Sequence, residues 1–170
     1  GWRYDPPVKS VEDYDRITLP TFTFNAAKTD AALERMGDLL GHAMPVRVTC
    51  GPPLGAGLGS YLDQLRGMAG MLEDLAFAPA AVHRVMAKLL EGVLRAMRAA
   101  EDSGRLTPNN YGGMTCSDPI GESPDGVTRL RNLWCSANSQ EFQEVSPAMW
   151  QEFLLNYQLP IFQQFGLVQY

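Results

Sequence analysis

From Pro79 to Gly104 the chain carries one apolar stripe, Val82, Val85, Met86, Leu89, Leu90, Val93, Leu94 and Met97, with spacings of three and one that trace a single helical face. Arg84, Lys88, Glu91, Arg95 and Arg98 point elsewhere, and Pro79 is well suited to a first helical turn. A helix with so complete a face must bury it, so this segment demands a second layer, read here as a sheet. His83, beside the stripe, reads as a solvated or capping histidine, and so does His42 in an upstream turn.

The segments around it alternate between helical and strand signals. Thr29 to Leu40 reads as a helix with Leu33, Met36 and Leu40 on one face and Gly41 as its stop. Met44 to Cys50 reads as a short strand ended by Gly51-Pro52-Pro53, residues 58 to 76 as a helix, and residues 105 to 111 and 129 to 136 as further strands. A last helix opens at Ser146-Pro147, passes Pro160 and stops at Gly166. Leu167-Val168-Gln169-Tyr170 then reads as the start of a buried strand, so the chain ends inside a βα repeat. Gly1-Trp2 begins without an initiator Met, and the whole reads as a middle piece of a larger α/β protein. Residues 1 to 26, polar, aromatic and broken by proline, read as an N-terminal wrap or lid, and residues 27 to 170 as the domain it covers.

Composition narrows the partners. Hydrophobic residues make up 45% and charged residues 19%, and the net charge of −5 is spread without a basic run, which argues against nucleic acid or an anionic membrane. No stretch approaches about 18 uninterrupted apolar residues, as a membrane span requires. Cys50, Cys116 and Cys135, odd in number and without CxxC spacing, suggest reduced thiols in the cytoplasm.

The loop from Gly51 to Gly59 is where α/β proteins place ligand contacts, but it is not a dinucleotide fingerprint, because Gly55-Ala56-Gly57 would need glycine at Ser60, and the phosphate-loop lysine is missing. It is either a structural turn or a loop touching a ligand through backbone amides. If the strands are parallel, their C-terminal ends carry the site, and Cys50, Gly51, Asn110, Tyr111, Trp134, Ser136, Gln140 and Glu141 are the positions from which a pocket is assembled. Glu141 and Tyr111 are the catalytic candidates, and the other six would bind substrate. The alternative is that Gln140 and Glu141 cap a turn and Tyr111 and Trp134 pack.

Two stretches carry a resemblance. Arg66-Gly67-Met68, Glu73-Asp74-Leu75 and Ala78 to Met86, then Ser139-Gln140-Glu141-Phe142 with Val145 to Phe153, resemble segments of the uroporphyrinogen decarboxylase superfamily, and looser similarity runs from Pro6 to Tyr170. The resemblance implies part of a (β/α)8 TIM barrel and is closer to the corrinoid-linked methyltransferase branch than to the tetrapyrrole decarboxylases. Where the decarboxylases have a Gly-x-Pro-aromatic-Thr segment, this chain has Gly51-Pro52-Pro53-Leu54-Gly55. It further implies a small-molecule substrate, a corrinoid protein as partner, and zinc or a corrinoid as cofactor, with activity in the full-length protein and not in this fragment alone; the alternatives are a tetrapyrrole decarboxylase and a barrel that binds a ligand without turnover. No His-x-Cys pair is present, so no metal ligand is assigned. A partial barrel would leave sheet edges uncovered and so favour association, with itself as a homo-oligomer or with the rest of the protein.

Overall fold

The computed structural model describes residues 4–112 and 115–170. Gly1-Trp2, and Gly113 at the end of one expected strand, lie outside the described residues. The elements are α1 (Ala26–Leu40), α2 (Leu58–Arg66), α3 (Met68–Phe77), α4 (Pro79–Asp102), β1 (Trp134–Ser136), α5 (Pro147–Trp150), α6 (Asn156–Phe162) and β2 (Leu167–Gln169). A π turn, Gln151–Leu155, fuses α5 and α6 into one C-terminal helix. Among the described residues the one sheet is the parallel pair β1 and β2, with Trp134 opposite Leu167 and Ser136 opposite Gln169.

This corrects the expected barrel. The molecule is a helical body with a two-stranded sheet, not part of an eight-stranded barrel. The expected strands at 44–50 and 105–111 form no ladder, and proline is one reason. Pro45 and Pro108 have no N–H to donate, so neither segment can offer a continuous row of donors. Contact between them rests on Thr107, whose N–H donates to the Cys50 carbonyl at 2.9 Å and whose hydroxyl oxygen accepts the Cys50 N–H at 2.8 Å. Asn109 then substitutes its side-chain amide for a strand edge, accepting from the Trp134 N–H at 2.8 Å and donating to the Trp134 carbonyl at 2.9 Å. The expected strand at 129–136 is shortened by a 3-10 turn, Leu130–Asn132.

The helix expected at 58–76 is two helices. Gly67 takes φ +78°, a left-handed conformation that costs glycine little, and its Cα faces the Pro6 ring, where a Cβ would stand 3.2 Å from Cγ. The helix expected from Thr29 begins earlier, at Ala26, while α4 and the C-terminal helix open where expected. Asn25 accepts the Lys28 N–H at 2.9 Å, Ser146 accepts the Met149 N–H at 3.2 Å, and Pro79 opens α4.

The α4 stripe is buried as its spacing requires at Val82, Val85, Met86, Val93 and Met97, while Leu89, Leu90 and Leu94 end half-buried at its margin. Its cover is helical. α2, α3, the C-terminal helix and the turn Val11–Arg16 pack on it, rather than the sheet expected from the sequence. The N-terminal segment also contributes to the core. Val8 and Tyr14 are buried there, and the Tyr14 hydroxyl donates to Asp74 Oδ2 at 2.7 Å. Asp74 in turn holds Arg66 in a two-pronged pair, Nε to Oδ2 at 2.8 Å and Nη2 to Oδ1 at 3.1 Å, and Arg66 Nη1 donates to the Lys9 carbonyl at 2.8 Å. One buried carboxylate thus ties the N-terminal segment, α2 and α3 together.

Candidate functional site

The C-terminal ends of β1 and β2 lie beside the glycine-rich loop and the start of α2. After β1 the chain makes a 3-10 turn, Gln140–Phe142, which buries Phe142 and brings Glu141 against α2. Ser60, in the first turn of α2, donates its hydroxyl to Glu141 Oε1 at 2.5 Å. Glu141 Oε2 is buried and has no hydrogen-bond partner. Gly59 makes room for it, since a Cβ there would stand 3.1 Å from that oxygen and 3.4 Å from the Phe142 ring. Asp63, one turn further along α2, holds its proton above the ordinary carboxylate range, first because it is partly buried and then because of the Glu141 charge. The result is an acidic corner with one carboxylate oxygen unpaired.

The C-terminal helix supplies the neighbouring wall. Gln158, fully buried, donates Nε2 to the Ala56 carbonyl at 2.7 Å, and its Oε1 accepts the Tyr170 hydroxyl at 2.9 Å. Tyr170 Oη accepts from Trp150 Nε1 at 3.1 Å. Trp150 and Phe162 meet the Tyr170 ring edge-on, at 6.1 and 5.8 Å between centroids. The loop backbone at Ala56 is therefore fixed from below, next to the residues that hold Glu141.

Of the positions expected to form a pocket, Glu141 is joined to α2 and Gln140 is exposed beside it. Trp134 is half-buried, with its indole N–H on the Asp118 carbonyl at 3.0 Å, and Ser136 is exposed at the end of β1. Tyr111 is 60% exposed, and the Arg47 guanidinium lies 5.8 Å from its ring centre. Asn110 is half-buried next to it. Cys50 and Gly51 border a small hollow of about 140 Å³ whose other walls include Phe22, Phe24 and Ser103. Glu141 and Tyr111 thus belong to different clusters, the first on α2 and the second with Arg47.

Ser60, Asp63, Asn109, Gln158 and Tyr170 were not singled out in the sequence. Gln158 had a readable signal, a polar residue on the buried face of the C-terminal helix between Leu154 and Ile161. Ser60 and Asp63 had none, because their role depends on where Glu141, far along the chain, comes to rest.

A metal does not fit the residues at hand. Among the described residues no group of three His, Cys, Asp or Glu side chains is placed to hold an ion. Cys135 is buried on β1, and burial, then the nearby Cys116, pushes its thiol up to about 11. Cys116 donates to Gln169 Oε1 at 3.0 Å, and all three cysteines are free. Among the described residues no helix is long and apolar enough to cross a membrane. Comparison with family models, with curated proteins and with solved structures finds no match to this chain.

Proposed function

We propose that this chain is the small-molecule-binding part of a methyltransferase of the corrinoid-linked type, acting in the cytoplasm, with Glu141 as the group that orients the substrate. The observation that carries the reading is the unpaired, buried Oε2 of Glu141, whose partner oxygen is already held by Ser60. A buried carboxylate oxygen without a donor is costly, of the order of 1–3 kcal/mol, and a ligand N–H or O–H at that point would recover the cost. The Ser139-Gln140-Glu141-Phe142 resemblance supports the same residue. Gln140 and Ser136, exposed beside the Glu141 corner and at the end of β1, are the candidates for contact with the rest of the substrate, while Tyr111 with Arg47 and Cys50 with Gly51 lie in other clusters. Free thiols at all three cysteines agree with a reducing compartment.

A corrinoid, when bound, would carry the methyl group. What this chain's residues do in the reading is hold the acceptor or donor by hydrogen bonding and keep water from the Glu141 corner. Tetrapyrrole decarboxylation is the weaker reading, since a substrate with several carboxylates would meet Glu141 and Asp63 rather than cations.

The test is methyl transfer from methylcobalamin to a thiol by the full-length protein, followed by the change in corrin absorbance. Glu141→Gln is expected to lower turnover by about tenfold or more while leaving the unfolding midpoint nearly unchanged, because it removes charge without removing volume. Tyr111→Phe, in the separate cluster with Arg47, should leave turnover unchanged. Parallel losses of turnover and stability would make Glu141 a structural cap and remove it from the site.

A further inference from the structure

A hollow of about 370 Å³ lies between the N-terminal segment, α2 and α4, and Glu141, Ser60 and Asp63 are not among its walls. Those walls are the half-buried side chains of Ile17, Leu19, Leu54, Leu65 and Leu89 together with buried Val93. None of the described residues that line it carries a charge. Small-molecule pockets run from roughly 300 to 1,000 Å³, and this one falls within that range.

The space follows from what covers α4 there. Leu89 sits at the margin of the α4 stripe, and what crosses it is no helix with a matching stripe but the irregular run from Ile17 to Pro20. Gly92 lets that run come close, since a Cβ there would stand 3.0 Å from Leu19 Cδ2. The chain leading into the run is tied to the body. The Val8 N–H donates to the Leu65 carbonyl at 2.9 Å, the Tyr4 hydroxyl to the Gln64 carbonyl, and Lys88 Nζ to the Asp15 carbonyl at 3.1 Å. The hollow is therefore formed before any ligand arrives, and an apolar ligand entering it exchanges water for carbon on most sides.

Tyr61, on α2, lines the same hollow and supplies a polar group. Its hydroxyl oxygen accepts the Gly55 N–H at 3.0 Å, and among the described residues its own hydrogen has no acceptor. Gly55 belongs to the glycine-rich loop, so this hydroxyl joins that loop to the hollow.

We propose that the hollow binds a small uncharged molecule with an apolar body and one acceptor oxygen, as in a ketone, ester or ether, and that this oxygen takes the Tyr61 hydrogen. An anion meets no cation there and a cation meets no carboxylate. A plain hydrocarbon leaves the hydroxyl without a partner in the ligand. The site is independent of the methyl-transfer reading, because it shares no residue with the Glu141 corner.

Three probes of similar shape, methyl naphthyl ketone, ethylnaphthalene and naphthoate, test this by NMR titration of the backbone amides of the whole chain. The ketone is expected to shift the amides of Leu19, Leu54, Gly55, Leu89 and Val93. It should bind about fivefold tighter than ethylnaphthalene, the share of one neutral hydrogen bond, and about tenfold or more tighter than naphthoate. In Tyr61→Phe the ketone should lose its advantage over ethylnaphthalene, which should bind as before. Leu89→Trp should weaken both by about tenfold or more, since the filled volume is closed to a ligand, and the Tyr61→Phe comparison decides even where this variant is less stable. The proposal is overturned by a ketone that shifts no amide up to its solubility limit, or whose shifts fall away from the hollow. It is equally overturned by naphthoate or ethylnaphthalene binding as tightly as the ketone, or by a ketone advantage that survives in Tyr61→Phe.

Discussion

The helical body and the row of segments beside it both carry apolar side chains, yet one is closed and the other open. In the body, Leu62, Met86, Leu154 and Ile161 are wholly buried, because consecutive helices present stripes that face one another. In the row, Met44, Val48, Leu167 and Val168 are exposed, and α1 buries no residue although Leu33, Met36 and Leu39 recur at helical spacing. A helix satisfies its backbone within itself and needs neighbours for one face. A strand needs neighbours for its backbone as well, and at 44–50 and 105–111 prolines and side-chain bonds take the place of a ladder.

The contrast is sharpest in core truncation. Leu62→Ala should cost about 2–5 kcal/mol in denaturant unfolding, the range for a fully buried leucine. A cost under about 1 kcal/mol would mean that α2 is not seated on α4, and the closed half of the comparison would fail.

A smaller effect tests the latch between the N-terminal segment and the body. Burial, then the Asp74 carboxylate, holds the Tyr14 hydroxyl proton above its ordinary value of about 10. The folded state therefore binds that proton more tightly than the unfolded chain, so its contribution is complete below about pH 10 and is lost as pH rises above it. Tyr14→Phe should lower stability by about 1–2 kcal/mol at pH 8 and flatten the decline above pH 10. Equal slopes for the two proteins at alkaline pH would place Tyr14 outside the body.

The smallest effect belongs to the open side. Leu39→Ala, on a helix with no buried residue, should change stability by less than about 0.5 kcal/mol. A loss comparable to that at Leu62 would show that α1 is covered in solution and would erase the comparison.

What could be read from the residues follows the range of the forces involved. The α4 stripe, the Ser146-Pro147 opening and Pro79 at a first turn act within a few residues, and those elements lie where these signals put them, whereas the Asn25 cap starts α1 at Ala26, ahead of the expected Thr29. The break at Gly67 was missed because glycine permits many conformations, and the left-handed one it takes sets its Cα against the Pro6 ring of a distant segment. The barrel was expected because β-branched runs and a family resemblance suggested strands, but a strand exists only with a partner, and among these runs β1 and β2 alone found a backbone ladder.

The candidate site divides in the same way. Glu141 was legible as a polar residue after a candidate strand, whereas its chemistry was not. Only the tertiary structure decided that Ser60 would take one of its oxygens, that Gly59 would leave room for the other, and that Asp63 would share its field. Likewise Tyr14, Asp74 and Arg66 read as ordinary residues along the chain until folding buried them together. The sequence by itself determined where helices begin and which faces they hide, because those depend on near neighbours. The pairing of polar groups was left to the tertiary structure, because the cost of a buried charge is set by whatever distant side chain arrives beside it.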